Sequence, residues 1–158
     1  MRRFWLPVIA GLFALPVMAQ DFNRGLAAYK AGDYDTALDE WIPLAEDGNA
    51  YAQFNLGVLY DYQLGAYKDA DKWYGLSARK GLNAAQFNLG VMYDYGYGVS
   101  KDFVLAYLWF DLAAANGHKD GEKNRDVIAQ KMSDEDISKA RALAELCLSS
   151  NYEDCGSE

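Results

Sequence analysis

One eleven-residue segment occurs twice in this chain with a single change. Residues 52–62 read AQFNLGVLYDY and residues 85–95 read AQFNLGVMYDY, so that only Leu59 and Met92 differ. Two alanines eight residues apart, followed three residues later by a glycine, occur once before the first copy and once after each copy, at spacings of 33 and 36 residues. Self-similarity at such a period is typical of stacked helical repeats and not of a fold with one central core.

Each repeat is long enough for two helices, and each predicted helix carries apolar residues three to four positions apart. The residues predicted to face the core are Ala52, Leu56, Leu59 and Tyr60, then Ala70, Trp73, Tyr74 and Ala78, then Ala85, Leu89, Met92 and Tyr93, and finally Ala106, Trp109, Phe110, Ala113 and Ala114. Gly48, Gly81 and Gly117 stand where a left-handed residue would end each second helix. The pattern therefore predicts helix pairs.

Four residues predict how these units begin and pack. Asn49 and Asn83 stand where a side-chain oxygen would cap the next first helix. Gly57 and Gly90 lie inside predicted helices, where a glycine costs about 1 kcal/mol relative to alanine. We expect close approach of the backbone of a neighbouring helix at these two glycines.

The start of the chain predicts export. Arg2 and Arg3 precede an apolar run from Phe4 to Val17, and Ala19 ends a plausible cleavage motif, as in a secretory signal peptide. A membrane anchor is the alternative, but the run is shorter than the roughly 20 residues that a spanning helix needs. We expect residues 20–158 to be the mature protein, periplasmic or secreted, without stable insertion in a membrane.

The unit at residues 84–117 resembles the SEL-one-like repeat family, a branch of the tetratricopeptide-like α-solenoids. The positions that carry the resemblance are Ala85, Leu89, Gly90, Tyr93, Gly96, Gly98, Val99, Asp102, Ala106, Trp109, Ala114 and Gly117. The resemblance implies an all-α fold, a short right-handed α/α superhelix of antiparallel helix pairs with a capping C-terminal helix. It also implies an adaptor or scaffold, because secreted bacterial members serve in envelope assembly and in host or wall interactions.

The predicted segments of the chain are a signal peptide at 1–19, units at about 22–48, 50–81 and 84–117, capping helices at 118–150 and a tail at 151–158. Ser133 and Asp136 have the spacing of a capping box that opens the last helix.

The two cysteines are predicted to form a disulfide. Cys147 lies near the end of the last predicted helix and Cys155 eight residues later in the tail, in a chain predicted to be exported, where disulfides persist. A redox-active pair is the alternative. The spacing is not that of a CxxC motif, and Glu153 and Asp154 disfavour a reactive thiolate, so we expect a structural bond.

The charge balance limits the class of partner. The chain has 15 Lys and Arg against 23 Asp and Glu, a formal net charge of −8, and loss of Arg2 and Arg3 with the signal peptide would bring it to −10. Proteins that bind nucleic acid gain most of their affinity from Lys and Arg at phosphates, so the charge argues against a nucleic-acid partner. We expect a protein or peptide that is neutral or basic.

The sequence predicts no catalytic residues, no metal site and no cofactor. His118 is the single histidine and is expected to be a solvated surface residue, with no second imidazole for a zinc site. No serine lies in a G-x-S-x-G motif, and the glycines at 96 and 98 form a turn without the preceding strand of a phosphate-binding loop.

A binding surface is predicted on the side of the first helices that faces away from the core residues. The residues predicted to line it as a concave groove are Phe54, Val58, Asp61, Tyr62, Phe87, Val91, Asp94, Tyr95 and Tyr97. Tyrosine suits recognition because it offers a large contact area with a polar tip. The alternatives are that Phe54 and Phe87 only pack between neighbouring helices and that the tyrosines are buried.

The leading hypothesis is a non-enzymatic, exported adaptor or scaffold of the cell envelope that binds a protein or peptide in this groove. The alternative is a secreted beta-lactam or peptidoglycan-fragment binding protein or hydrolase, which disulfide-rich relatives suggest. Those relatives carry a cysteine pair in each repeat, whereas this chain has one pair at its end. A self-associating structural protein is a third possibility.

Overall fold

The computed structural model describes residues 21–156, which form eight α-helices and one π-helical turn. The helices are α1 (Phe22–Ala31), α2 (Tyr34–Glu46), α3 (Ala50–Val58), α4 (Tyr67–Ala78), α5 (Asn83–Tyr95), α6 (Phe103–Ala115), α7 (Gly121–Ala129) and α8 (Asp134–Ser149). The π-helical turn, Leu59–Gln63, follows α3 directly. The predicted signal peptide at residues 1–19 lies outside the described residues. Between residues 21 and 156, no helix combines the length and the apolar character needed to cross a bilayer.

The helices stack in chain order. α1 packs on α2, α3 on α4 and α5 on α6, while α2 also contacts α3 and α4 contacts α5, so that each pair is joined to the next. At the end of the array, α7 and α8 both pack on α6. This confirms the predicted fold, an all-α, short right-handed α/α superhelix with a capping C-terminal helix.

The apolar side chains of the described residues are buried in three clusters instead of one central core. The first contains Trp41 and Leu56 near the N-terminal units, the second contains Tyr74 and Leu108 in the middle, and the third contains Phe110 beneath α7 and α8. Each cluster draws on helices of more than one pair. The stability of one unit therefore depends on its neighbours, as repeat arrays require.

Glycines in the first helices lie directly under an aromatic ring of the second helix of the same unit. A Cβ atom added at Gly57 or Gly90 would come closer than 3.0 Å to the ring of Tyr74 or Phe110, respectively. The expected close contact is present, but a side-chain ring makes it and not the backbone of a neighbouring helix. An aromatic ring can lie flat against the helix only where the side chain beneath it is missing.

The two predicted helix caps differ. The side-chain oxygen of Asn49 accepts hydrogen bonds from the backbone N–H groups of Tyr51 and Ala52, both at 3.0 Å, and so caps α3 as predicted. Asn83 does not cap α5, because it is the first residue of that helix and Leu82 occupies the N-cap position. Its Nδ2 instead donates to the carbonyl oxygen of Asn116 at 2.8 Å.

We expect Asn49→Ala to lower the free energy of unfolding by about 1 kcal/mol, because two N–H groups at the start of α3 lose their acceptor. Urea denaturation followed by circular dichroism measures the change. Asn49→Ser is the matched control, since serine keeps a capping oxygen and should cost much less. Equal losses in the two variants would show that the capping oxygen contributes nothing.

The C-terminal helix and tail close the end of the array. Ser133 Oγ caps α8 by accepting the N–H of Asp136 at 3.1 Å, and it donates to the Asp136 carboxylate at 2.8 Å, so the carboxylate of Asp136 bonds the hydroxyl of Ser133 and not its backbone N–H as in a capping box. Cys147 and Cys155 form the predicted disulfide, and both are buried in the middle cluster. Beyond α8, the tail returns to the α6 end, where the side-chain Nδ2 of Asn116 donates to the Tyr152 hydroxyl at 2.9 Å.

Candidate functional site

We call the side of α3, its π-helical turn and α5 that carries the predicted binding residues the first-helix face. Its members are Phe54, Val58, Asp61, Tyr62, Phe87, Val91, Asp94, Tyr95 and Tyr97. Tyr62, Tyr95 and Tyr97 are exposed, whereas the other six are half-buried. The face therefore combines a partly covered floor with an exposed aromatic edge.

The two phenylalanines of the first-helix face support the packing of the helices. The ring centroid of Phe54 lies 5.9 Å from that of Tyr74, and the centroid of Phe87 lies 5.4 Å from that of Phe110. Val58 is likewise packed against the middle cluster. These side chains fill space between the first and second helices, and each offers only part of its surface to solvent.

His118 is not the solvated surface residue that the sequence led us to expect. Its ring stacks on Phe87, with centroids 4.2 Å apart and an interplanar angle of 15°. The turn after α6, in which the N–H of His118 bonds the carbonyl of Ala113, places the imidazole there. Its Nδ1 accepts the N–H of Asp120 at 3.3 Å, and burial lowers the pKa of His118.

Three exposed tyrosines form a pile that we call the tyrosine stack, made of Tyr67, Tyr97 and Tyr95. Tyr97 is the middle ring, with centroids 5.2 Å from Tyr67 and 5.5 Å from Tyr95 and interplanar angles of 18° and 12°. Gly98 makes the stack possible, because it has a φ of +70° and a Cβ there would come within 3.0 Å of the Tyr67 backbone. Sequence reasoning missed Tyr67, which begins α4 and is brought to the first-helix face only by this close approach.

Two aspartates at the same position of successive units have different partners. Asp94 pairs with Lys131, whose Nζ lies 3.3 Å from its Oδ1. Asp61 accepts a hydrogen bond of 3.4 Å from the Tyr74 hydroxyl, and in residues 21–156 it has no ion pair. Burial raises the pKa of Asp61, and the hydrogen bond from Tyr74 offsets part of that rise. Asp61 is thus a half-buried carboxylate without a cation.

The segment that carries Asp61 is held by the first unit. Gln63 at the end of the π-helical turn accepts from the Tyr34 hydroxyl at 2.8 Å and donates to the Tyr29 hydroxyl at 3.3 Å. In α5 the equivalent residue is Gly96, which has a φ of +76° and ends an ordinary α-helix. Tyr62 and Tyr95 thus follow the same sequence but leave their helices through different backbone turns.

The sequence also gave no sign of a cleft between α4 and α6, outside the first-helix face. It has a volume of about 330 Å³, and its walls include Asp71, Leu76, Tyr93 and Trp109. Burial raises the pKa of Asp71. Within the described part of the chain, no group of three or more His, Cys, Asp or Glu side chains could hold a metal ion.

The fold and this face define a helical-repeat protein with an exposed aromatic edge on its first helices. Residues 50–82 and residues 83–118 each match the family model described as the Sel1 repeat. The chain thus contains two Sel1 repeats, the unit of the SEL-one-like repeat family. Proteins of this family are generally non-enzymatic scaffolds for protein interaction.

Two solved structures resemble the chain. One is c5321, described as a protective antigen present in uropathogenic Escherichia coli strains and displaying an SLR fold, with 29% sequence identity and a TM-score of 0.74 over 82% of this chain. The other is a Sel1 repeat protein from Oxalobacter formigenes, with 28% identity and a TM-score of 0.65 over 87% of this chain. The chain spans 30% of the first protein's length and 64% of the second's. No curated protein sequence matches the chain.

Proposed function

We propose that this protein is an exported, non-enzymatic binding module whose first-helix face holds a protein or peptide segment, as an adaptor or scaffold in the cell envelope. The observation that carries the proposal is the pair of tyrosines Tyr62 and Tyr95, which occupy the same position in successive units and are 69% and 63% exposed. Large aromatic side chains left uncovered at a repeated spacing suit an extended segment that crosses from one unit to the next.

The physical character of these side chains supports the proposal. A tyrosine ring buries a large apolar area on binding and keeps a hydroxyl for a hydrogen bond, at the entropic cost of few rotatable bonds. The ring of Tyr95 is further held by its contact with Tyr97 in the tyrosine stack. Part of the ordering cost of binding is therefore already met in the free protein.

The disulfide supports export. Cys147 and Cys155 are bonded and buried, and a structural disulfide persists in oxidising compartments outside the cytoplasm. The predicted signal peptide points the same way, and one structural neighbour is described as a protective antigen. We place the protein in the periplasm or among secreted proteins.

The proposal is tested by selecting binders from a phage-displayed library of random peptides on the purified protein. We expect Tyr62→Ser combined with Tyr95→Ser to weaken binding of the selected peptides by at least about tenfold, because exposed aromatic anchors carry much of the binding energy of an interface. Isothermal titration with the synthesised peptides measures the change. Phe54 and Phe87 are unsuitable targets, since both pack inside the array.

Leu146→Ser combined with Leu148→Ser is the matched control for the tyrosine variant. These leucines are also exposed but lie on α8, away from the first-helix face, and their replacement should leave peptide binding unchanged. If the leucine variant loses binding and the tyrosine variant keeps it, the assignment of the face is wrong. Turnover of a beta-lactam by the purified protein, abolished in His118→Ala, would support the hydrolase alternative instead.

A further inference from the structure

We propose that Asp61, with Tyr62 beside it, receives a lysine or arginine side chain of the bound partner. The inference rests on the proposed function, namely that the first-helix face binds a polypeptide. It adds the chemistry of one contact and its position on that face.

One unit further along the chain, the aspartate at the equivalent position, Asp94, already has a lysine as its partner. Lys131 reaches Asp94 at 3.3 Å, and its Nζ also lies 5.4 Å from the centroid of the Phe103 ring. Carboxylate and aromatic ring thus hold an ammonium group together, with both a charge-assisted contact and a cation–π contact. The side chain of Asp94 is only 13% exposed, so this cation compensates a largely buried charge.

The same position one unit earlier lacks the cation. Asp61 precedes Asp94 by 33 residues, which is the spacing of their two units. Lys131 reaches Asp94 from the turn after α7, and within residues 21–156 no lysine or arginine forms an ion pair with Asp61. Within the described residues Asp61 thus lacks the compensating charge that Lys131 gives to Asp94, and a basic side chain of the bound partner supplies it.

The surroundings of Asp61 favour a cation as the missing group. The carboxylate is half-buried, and its hydrogen bond from the Tyr74 hydroxyl is long at 3.4 Å. Burial, and after it the charge of the neighbouring Asp61, raises the pKa of the Tyr62 phenol. A carboxylate partly withdrawn from water is stabilised by an opposite charge, and an ammonium or guanidinium group also gains from aromatic rings beside it. The net charge of −8 adds a general attraction for a basic partner.

The test uses the exported protein and the same displayed library of random peptides. We expect the selected peptides to share a lysine or arginine at one position and to bind Asp61→Asn about tenfold more weakly than the unmodified protein. A glutamine in place of that basic residue should cost the same factor on the unmodified protein and nothing further on Asp61→Asn. This double-mutant cycle ties the peptide's charge to Asp61.

Two further variants sharpen the test. Tyr62→Lys should place an ammonium group near Asp61, whose charge acts on the Tyr62 phenol, and should also remove the preference for basic peptides. Because Tyr62 is 69% exposed, this variant is expected to fold even if Asp61→Asn does not. Glu145→Gln, at an exposed carboxylate on α8 outside the first-helix face, is the control and should leave the preference intact.

The possible failures are distinguishable. If no peptide is enriched on the unmodified protein, the proposed function itself is overturned. If peptides are enriched and need Tyr62 and Tyr95 but share no basic residue, or if their basic residue is tolerated equally by Asp61→Asn, the proposed function stands and the assignment of Asp61 is overturned.

Discussion

Replacing Gly57 with alanine is expected to lower the free energy of unfolding by about 2 to 3 kcal/mol. A methyl group at this position would lie within 3.0 Å of the Tyr74 ring, which is itself fully buried and has no free space to enter. Overpacking of this kind forces side chains from their preferred rotamers and shifts the backbone. Urea denaturation followed by circular dichroism gives the change in free energy.

Gly75→Ala is the matched control for that prediction. Gly75 also lies buried inside a helix, α4, but a Cβ there would meet only the Arg79 Nη1 atom at 3.5 Å. Alanine at this position should therefore stabilise the protein by up to about 1 kcal/mol, from helix propensity alone. If Gly57→Ala is also stabilising, the ring over Gly57 does not constrain that position.

Replacing Cys147 and Cys155 together by alanine is expected to lower the free energy of unfolding by about 2.5 kcal/mol, from the loop-closure entropy of so short a loop. Both sulfur atoms are buried among residues of α4, α5 and α6, so the variant also loses packing in the middle cluster. The comparison of urea denaturation for the oxidised protein and the alanine variant measures this loss.

Reduction of the unmodified protein with dithiothreitol is the control for the loss of the disulfide, because it breaks the bond without changing the residues. We expect reduction to raise hydrogen exchange first in the tail, where the Tyr152 hydroxyl is bonded to the Asn116 side chain. If the reduced protein has an unchanged unfolding midpoint and an unchanged exchange rate in the tail, the disulfide does not stabilise the C-terminal end.

Much of the fold could be predicted from the sequence because the same helix-ending and core-facing residues recur in each unit. The recurring glycines and the alanine and aromatic stripes indicate where helices end and which sides are buried. The caps at Ser133 and Asn49 are local hydrogen-bonding patterns, and both side chains accept the backbone N–H groups expected of a cap. The disulfide between Cys147 and Cys155 follows from an even cysteine count in a chain predicted to be exported.

The departures from prediction come from contacts between units, which a local pattern does not contain. The two segments, which differ only at Leu59 and Met92, end differently: the first in the π-helical turn Leu59–Gln63 and the second in a regular helix at Tyr95. Gln63 bonds to tyrosines of the first unit, whereas Gly96 turns the chain. The stacking of His118 on Phe87 likewise depends on the turn after α6.

The residues of the candidate site were predicted as one set. Their exposure to solvent divides them into residues that pack between helices and residues that are free to contact a partner. Helical periodicity places Phe54 and Tyr62 on the same side of the first helices, yet Phe54 packs against Tyr74 and Tyr62 is exposed. The different partners of Asp61 and Asp94 could not be foreseen, because Lys131 reaches Asp94 from the capping segment beyond the last complete unit.

The near-identity of the two first helices shows which residues determine the position of each helix in the array. The segment at residues 52–62 rests on Tyr74 and the segment at residues 85–95 rests on Phe110, so either helix could serve in either place as far as its own residues are concerned. The information that assigns each copy to its neighbour resides in the second helices and in the connecting turns. The first helices are nearly equivalent in sequence. The differences between units lie in the second helices and the turns, and these differences make each position in the array distinct.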